Sequence, residues 1–178
     1  RMLALMLALP MVFVACSDDD DNDPTGGAPI VAQKGVFVFD SGNQGKNIDG
    51  ALSFIDEKTN TATNDVFRTV NARSLGSTVQ DGVILGQNLY IAVSESNTIE
   101  VVDKNTLVSV TQIAPTAEQG SKPRDIVTDG KYVYVSMYSG HVSRIDASKN
   151  VIDKTVKVGP NPEEMAVANG CLLSILMA

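Results

Sequence analysis

A single histidine, His141, limits what nucleophilic or metal chemistry this chain can carry. A His-rich metal site is excluded, and any Ser-His-Asp triad would have to use this one residue. Its place just after Tyr138-Ser139-Gly140 reads as an exposed position at the start of a strand. Gly42-Asn43-Gln44-Gly45-Lys46-Asn47 approaches a phosphate-binding loop in composition, but the residue five before Gly45 is Asp40 and Asn47 stands where Ser or Thr is required. No Gly-x-Ser-x-Gly, Cys-x-x-Cys or zinc-ligand spacing occurs. The acids from Asp18 to Asp21 are consecutive rather than alternating, and the Gly and distal Glu of a calcium loop are missing. Asp56, Asp103 and Asp146 recur at intervals of 47 and 43 residues, each followed by a polar turn. An Asp there accepts backbone N–H bonds and closes the turn, so these acids read as structural. The expectation is a binding protein without catalytic residues, metal or resident cofactor. Catalytic groups on segments outside the given sequence stay open.

The recurring acids imply a repeated unit that positions them. Pro123-Arg124-Asp125-Ile126-Val127-Thr128-Asp129-Gly130-Lys131-Tyr132-Val133-Tyr134-Val135 reads as two strands joined at Asp129-Gly130, where a two-residue turn needs positive φ. Related versions run from Gly82 to Val93 and from Pro162 to Gly170. The order strand, polar loop, strand ending in Asp then returns three times. Val36 to Phe39, Leu89 to Val93 and Tyr132 to Met137 are the first strands of this set; the second strands end at Asp56, Asp103 and Asp146. A further strand is expected after each turn: Thr63 to Thr69, Val108 to Ile113 and Val151 to Val158.

Four strands in about 42 residues, with no helix-period segment between copies, predict an all-β fold: a β-propeller of four-stranded blades. The near-continuous apolar run Tyr132 to Val135 suits a strand covered on both faces. A β-sandwich is the competing architecture, but it does not explain turn chemistry returning at a fixed interval.

The third copy resembles the YVTN-type propeller repeat: Pro123 at the start, Asp129-Gly130, Tyr132 to Val135, Ile145-Asp146, and Val158-Gly159-Pro160-Asn161-Pro162. That resemblance speaks for fold rather than function. Residues 35–178 hold about three and a third such units, fewer than a closed propeller needs, so the chain reads as a partial propeller. The tail Cys171 to Ala178 departs from the repeat and suggests truncation or a reading-frame change. A partial propeller exposes a strand edge and an inter-blade face, so poor solubility is expected.

Of the 178 residues, 43 % are hydrophobic and 20 % charged, enough for a real core. A net charge of -7, from 14 basic and 21 acidic residues, argues against a nucleic-acid partner. Met2 to Ala15 is apolar, interrupted by Pro10 and too short for the roughly 20 residues that cross a bilayer, so residues 1–15 read as a signal peptide. Phe13-Val14-Ala15-Cys16 resembles a bacterial lipobox, which implies lipidation of Cys16. An ordinary signal peptide with a chance Cys is the alternative. Residues 16–34, with their acidic run and Pro24-Thr25-Gly26-Gly27, read as a tether, and residues 35–178 as the partial propeller. With Cys16 lipidated, Cys171 is left without a disulfide partner in the chain.

The leader, Cys16, the acidic tether and the amide-rich first copy together resemble the cobalamin-capturing surface lipoproteins of Bacteroidota. That resemblance implies seven blades in the complete protein, a lipid anchor in the outer membrane at the cell surface, cobalamin as cargo, and a TonB-dependent outer-membrane transporter as partner. The Asp-x-His-x-x-Gly pattern of cobalamin-using enzymes is absent around His141, so the vitamin would be cargo rather than a catalyst. By position on the expected loop face, Asn43, Gln44, Asn47, Arg73, Arg124 and Tyr138 are the candidate ligand-binding residues. A glycan-binding lipoprotein is a second reading, weakened by the absence of Trp. A propeller lyase or hydrolase would need His141 or segments not present here.

Overall fold

The computed structural model describes residues 34–177. The leader, Cys16 and nearly all of the tether lie outside these residues.

The propeller expectation holds. Two complete four-stranded antiparallel sheets stand at the centre. One consists of β4 (Val79–Leu85), β5 (Asn88–Val93), β6 (Thr98–Asp103) and β7 (Ser109–Ile113), in that order. The other repeats it with β8 (Pro123–Thr128), β9 (Tyr132–Met137), β10 (His141–Asp146) and β11 (Val151–Lys157). They are blades two and three. Blade one comprises β1 (Gly35–Asp40), β2 (Ala51–Asp56) and β3 (Thr61–Thr63). Its β1 pairs with β2 as β5 pairs with β6, so β1 occupies the second-strand position. Blade four contributes the hairpin of β12 (Pro162–Ala168) and β13 (Cys171–Leu176). The tail that departs from the repeat therefore still forms the second strand of a blade.

Local chemistry sets the hairpins. Gly86 (φ 64°) and Gly130 (φ 88°) take the positive angle at the first loop position, and Asn169 (51°) and Gly170 (75°) take it at both. These are the angles of two-residue hairpin turns. In blade three the loop is Gly130-Lys131, one residue later than expected: Asp129 keeps a negative φ, its N–H bonds Tyr132 O at 3.3 Å, and its carboxylate receives the N–H of Lys131 and Tyr132. The strand-ending acids do close turns. Asp103 Oδ1 accepts from Asn105 N (3.0 Å) and Thr106 N (2.8 Å), and Asp56 Oδ1 from Lys58 N (2.7 Å) and Thr59 N (2.9 Å). Asp146 Oδ1 accepts from Ser148 N at 2.9 Å.

The fourth strand of blade one is not the expected Thr63–Thr69 but the three residues of β3, Thr61–Thr63, on β2. The chain leaves the sheet after Thr63 and turns into α1 (Val66–Asn71). Asp65, left-handed at φ 48°, starts it and pairs with Arg68 at 2.8 Å. Burial of Val66 and Phe67 beneath β2 outweighs the strand propensity of Val66, Phe67 and Thr69.

The cores lie between blades. Leu52, Phe54, Phe67 and Leu75 meet Leu89, Ile91, Val93 and Val102 where blades one and two face each other. Tyr90, Ile99 and Val101 meet Ile126, Val133, Val135 and Ile145 between blades two and three. Along each third strand, therefore, the fifth residue (Val102, Ile145) faces the preceding blade, and the second and fourth of β6 (Ile99, Val101) face the following one. Tyr90 also bonds across, its hydroxyl donating to Asn150 Oδ1 at 2.7 Å.

Candidate functional site

The antiparallel order gathers the loops between second and third strands, and the connections between blades, at one end of the sheets. Loops 41–50, 94–97 and 138–140 belong to the first kind, and segments 72–78, 114–122 and 158–161 to the second. Hydrogen bonds join them in sequence. Gly50 N donates to Gly76 O (2.8 Å), and Ser74 Oγ to Asp49 Oδ2 (2.7 Å). Ser77 N donates to Ser96 Oγ at 2.8 Å, and Ser121 N repeats this to Ser139 Oγ at 2.7 Å. Lys122 N donates to Asn97 Oδ1 (2.8 Å), and Lys122 Nζ pairs with Glu95 (2.9 Å). Gly76, at φ 117°, lies so close to Ser96 that a Cβ has no room. The six candidate residues lie at this end.

Their surroundings divide them into three groups. In the long loop, the Asn43 side chain accepts from Lys46 N (3.1 Å) and caps a single 3-10 turn, Gln44–Lys46. Asn47 ends that turn in the left-handed region at φ 53°, a conformation Asn tolerates better than most residues. Gln44 is exposed and makes no side-chain hydrogen bond among the described residues.

Arg73 is drawn inward. Its Nη2 lies 2.7 Å from Oε1 of the fully buried Glu100 and 3.0 Å from Ser109 Oγ, and its guanidinium stacks 4.9 Å above the Phe67 ring. Glu100 also accepts from Ser109 Oγ (2.5 Å) and Gln112 Nε2 (3.1 Å). Buried charge is tolerated only when paired and hydrogen-bonded, and this network does both. Arg73 thus fastens the α1 connection to blade two.

Arg124 and Tyr138 come together. The guanidinium lies 5.6 Å from the ring centroid, and Nε bonds Glu163 Oε2 at 2.9 Å. Beside them a cavity of about 320 Å³ is lined by Arg124, Glu163, Glu164, Ile175 and Met177. One cation, two acids and two apolar side chains can hold an amphipathic ligand with hydrogen-bonding groups.

Sequence reasoning missed the acids that organise this end. Asp81 Oδ2 accepts from Ile126 N (3.1 Å), and Asp125 Oδ2 from Met165 N (2.6 Å), so each inner strand grips the next. Burial, reinforced by the neighbouring Asp81 carboxyl, pushes Asp125 up to about 6. The turn acids at the opposite end go the other way: Asp103 is lowered by the N–H groups of Thr106 and Asn105, and Asp56 chiefly by that of Thr59. The signal was available in Asp81 and Asp125, which fall at equivalent places in successive copies.

Among the described residues no Ser-His-carboxylate arrangement is assembled. Ser139 Oγ accepts from Ser121 N and lies 3.4 Å from His141 Nδ1, but among the described residues no carboxylate bonds the ring. Nor do three His, Cys, Asp or Glu side chains converge as a metal site among the described residues.

Fold and loop end together define a β-propeller-type domain. The chain belongs to the family described as "Domain of unknown function (DUF5074)", which matches residues 34–175. No curated protein matches the sequence. Hydrazine synthase of Kuenenia stuttgartiensis is structurally similar, with a TM-score of 0.59 at 20 % identity. The aligned region covers 71 % of this chain and only 36 % of that protein. Apo AztD from Citrobacter koseri gives a TM-score of 0.47 at 22 % identity, with the same 71 % and 36 % coverage. At 20 % identity the likeness to hydrazine synthase speaks for fold alone.

Proposed function

We propose that this domain captures a ligand on its loop-bearing end, that the ligand is cobalamin, and that the protein is a surface lipoprotein of the outer membrane. It holds the vitamin as cargo, without chemistry, and passes it to a TonB-dependent transporter. The observation that carries the binding reading is the pairing of Arg124 with Tyr138 beside an amphipathic cavity, at the end that also bears the exposed amide of Gln44. Cobalamin is a broad amphipathic disc fringed with amides. It calls for a wide face of amide, aromatic, guanidinium and backbone groups, and this end offers each of them. The anchor and the transporter rest on the lipobox-like Phe13-Val14-Ala15-Cys16 and the acidic run behind it.

Titrating the complete protein with cyanocobalamin in a calorimeter tests the reading. Saturable heat at micromolar concentration, reduced by replacing residues 43–47 or Arg124, is the expected result. No heat at that concentration rules out cobalamin, and heat unaffected by those replacements moves the site elsewhere.

A further inference from the structure

The inner strands β4, β8 and β12 all open with the same irregularity at the loop end. Val79, Pro123 and Pro162 pair with Val93, Met137 and Leu176, the register then shifts, and Gly82, Ile126 and Met165 pair with Ile91, Val135 and Ser174. Each strand thus bulges over two residues: Gln80-Asp81, Arg124-Asp125 and Glu163-Glu164. The second residue is an acid every time, and in β4 and β8 it grips the next strand. The first changes from amide to guanidinium to carboxylate, so the repeated frame does not dictate it. The frame nevertheless holds two of these side chains firmly. Ser136 Oγ donates to Glu163 O at 2.8 Å and Met165 N to Asp125 Oδ2 at 2.6 Å, which ties the two backbones beside the Arg124–Glu163 pair. Glu163 Oε2 takes Arg124 Nε at 2.9 Å, and Tyr138 lies under the guanidinium. Among the described residues the terminal nitrogens of Arg124 and Oε1 of Glu163 make no further hydrogen bond.

We propose that the Arg124–Glu163 pair reads a neutral primary carboxamide on the ligand, and that the Tyr138 ring seats the apolar body carrying it. The pair presents a donor edge beside an acceptor oxygen, with no net charge between them. An anion on Arg124 would be opposed by Glu163 and by Glu164, which lines the same cavity, and a cation on Glu163 would be opposed by Arg124. A primary carboxamide meets both groups at once: its C=O accepts from the guanidinium and its N–H donates to the carboxylate. A carboxylate of the same shape has no hydrogen to give. It would leave Glu163 Oε1 unmatched and set two negative charges together, which is the kind of mismatch by which a hydrogen-bonding site rejects a close analogue. Gln80, at the equivalent place on β4, carries the same donor and acceptor on one side chain. This inference rests on the reading of the loop end as a ligand-capturing face and names the functional group that face selects.

The test titrates the complete protein with benzamide and, separately, with benzoate, and follows the Arg124 Nε–H signal by NMR. Benzamide should move that signal saturably, and benzoate should need a concentration about tenfold higher. Glu163→Gln keeps an oxygen for Arg124 Nε but removes the opposing charge, so benzoate should then bind more tightly than benzamide. A Glu163 that only braced the strands would not reverse the order. Because the order is a ratio within one protein, a change in stability does not move it. Equal or tighter binding of benzoate by the parent overturns the proposal, as does an order that Glu163→Gln leaves unchanged, or an Arg124 signal that neither probe moves. Cyanocobalamin separates this inference from the cargo reading. Calorimetric heat from cyanocobalamin without displacement of bound benzamide overturns the carboxamide site and spares the cargo. Benzamide bound as expected, with no heat from cyanocobalamin, supports the site and removes that cargo.

Discussion

The two ends of the sheets are made by the same strands and obey different rules. At the turn end, Asp56, Asp103 and Asp146 do one job three times, and each loop is only a few residues long. At the other end the corresponding loops run from 41–50 down to 138–140, and only the bonds that link neighbours repeat. The acids reflect the contrast: those at the turns are held as carboxylates, Asp146 by the Ser148 hydroxyl and N–H and Asp103 by N–H groups, whereas Asp125 is pushed towards its neutral form. Repetition marks what holds the blades, and departure from repetition marks where a ligand would be met.

The contrast can be broken most forcefully at Arg73, which belongs to the loop end by position but to the scaffold by contact. Arg73→Ala strands the Glu100 carboxylate. A loss of about 2–3 kcal/mol in chemical denaturation is expected, below the 3–5 of a fully buried pair because the Arg73 side chain is 41 % exposed. A loss under about 0.5 kcal/mol would return Arg73 to the ligand-facing set.

Acid should act on the two ends in opposite directions. Asp125 holds its proton more tightly when folded than the usual value of about 3.9. Its contribution to stability is therefore full below that value and is lost as pH rises through about 6. The turn acids, with lowered values, contribute above their unfolded value and lose that contribution as pH falls through the folded one. Melting curves from pH 4 to 7 on Asp125→Asn should show a smaller stability loss over the upper part of this range than the parent. An unchanged profile would mean that burial beside the Asp81 carboxyl does not raise Asp125. Smaller still, Asp103→Ala removes an acceptor of two N–H groups and a hydroxyl and should cost about 1 kcal/mol. At the bottom of the scale, Gln44→Ala should leave stability within about 0.5 kcal/mol and lower cobalamin affinity, separating the ends cleanly in one denaturation and one titration.

Much of this was legible in the chain because turns and alternation are local. Asp103 and its followers announce a turn wherever they stand, and Tyr132 to Val135 can be read as a covered strand without its neighbours. The helix Val66–Asn71 was not legible, since its residues favour strand and only the burial of Val66 and Phe67 reverses that preference. The inward commitment of Arg73 was hidden for a related reason: its partner lies 27 residues away, within the apolar strand Thr98–Asp103. An acid at the centre of such a strand was the available hint. Arg124 and Tyr138 were placed at the loop end by topology alone, and neither their pairing nor the contact of Arg124 with Glu163 was legible in the sequence.

Because the cores lie between blades, each sheet owes its persistence to its neighbours, and the molecule should come apart in order. Blade two is covered on both faces and should keep its amide protons longest. Among the described residues the hairpin of β12 and β13 has a neighbour on one side only, and it should exchange its amide protons before blade two. Cooperativity between neighbouring blades is then set by the joint they share.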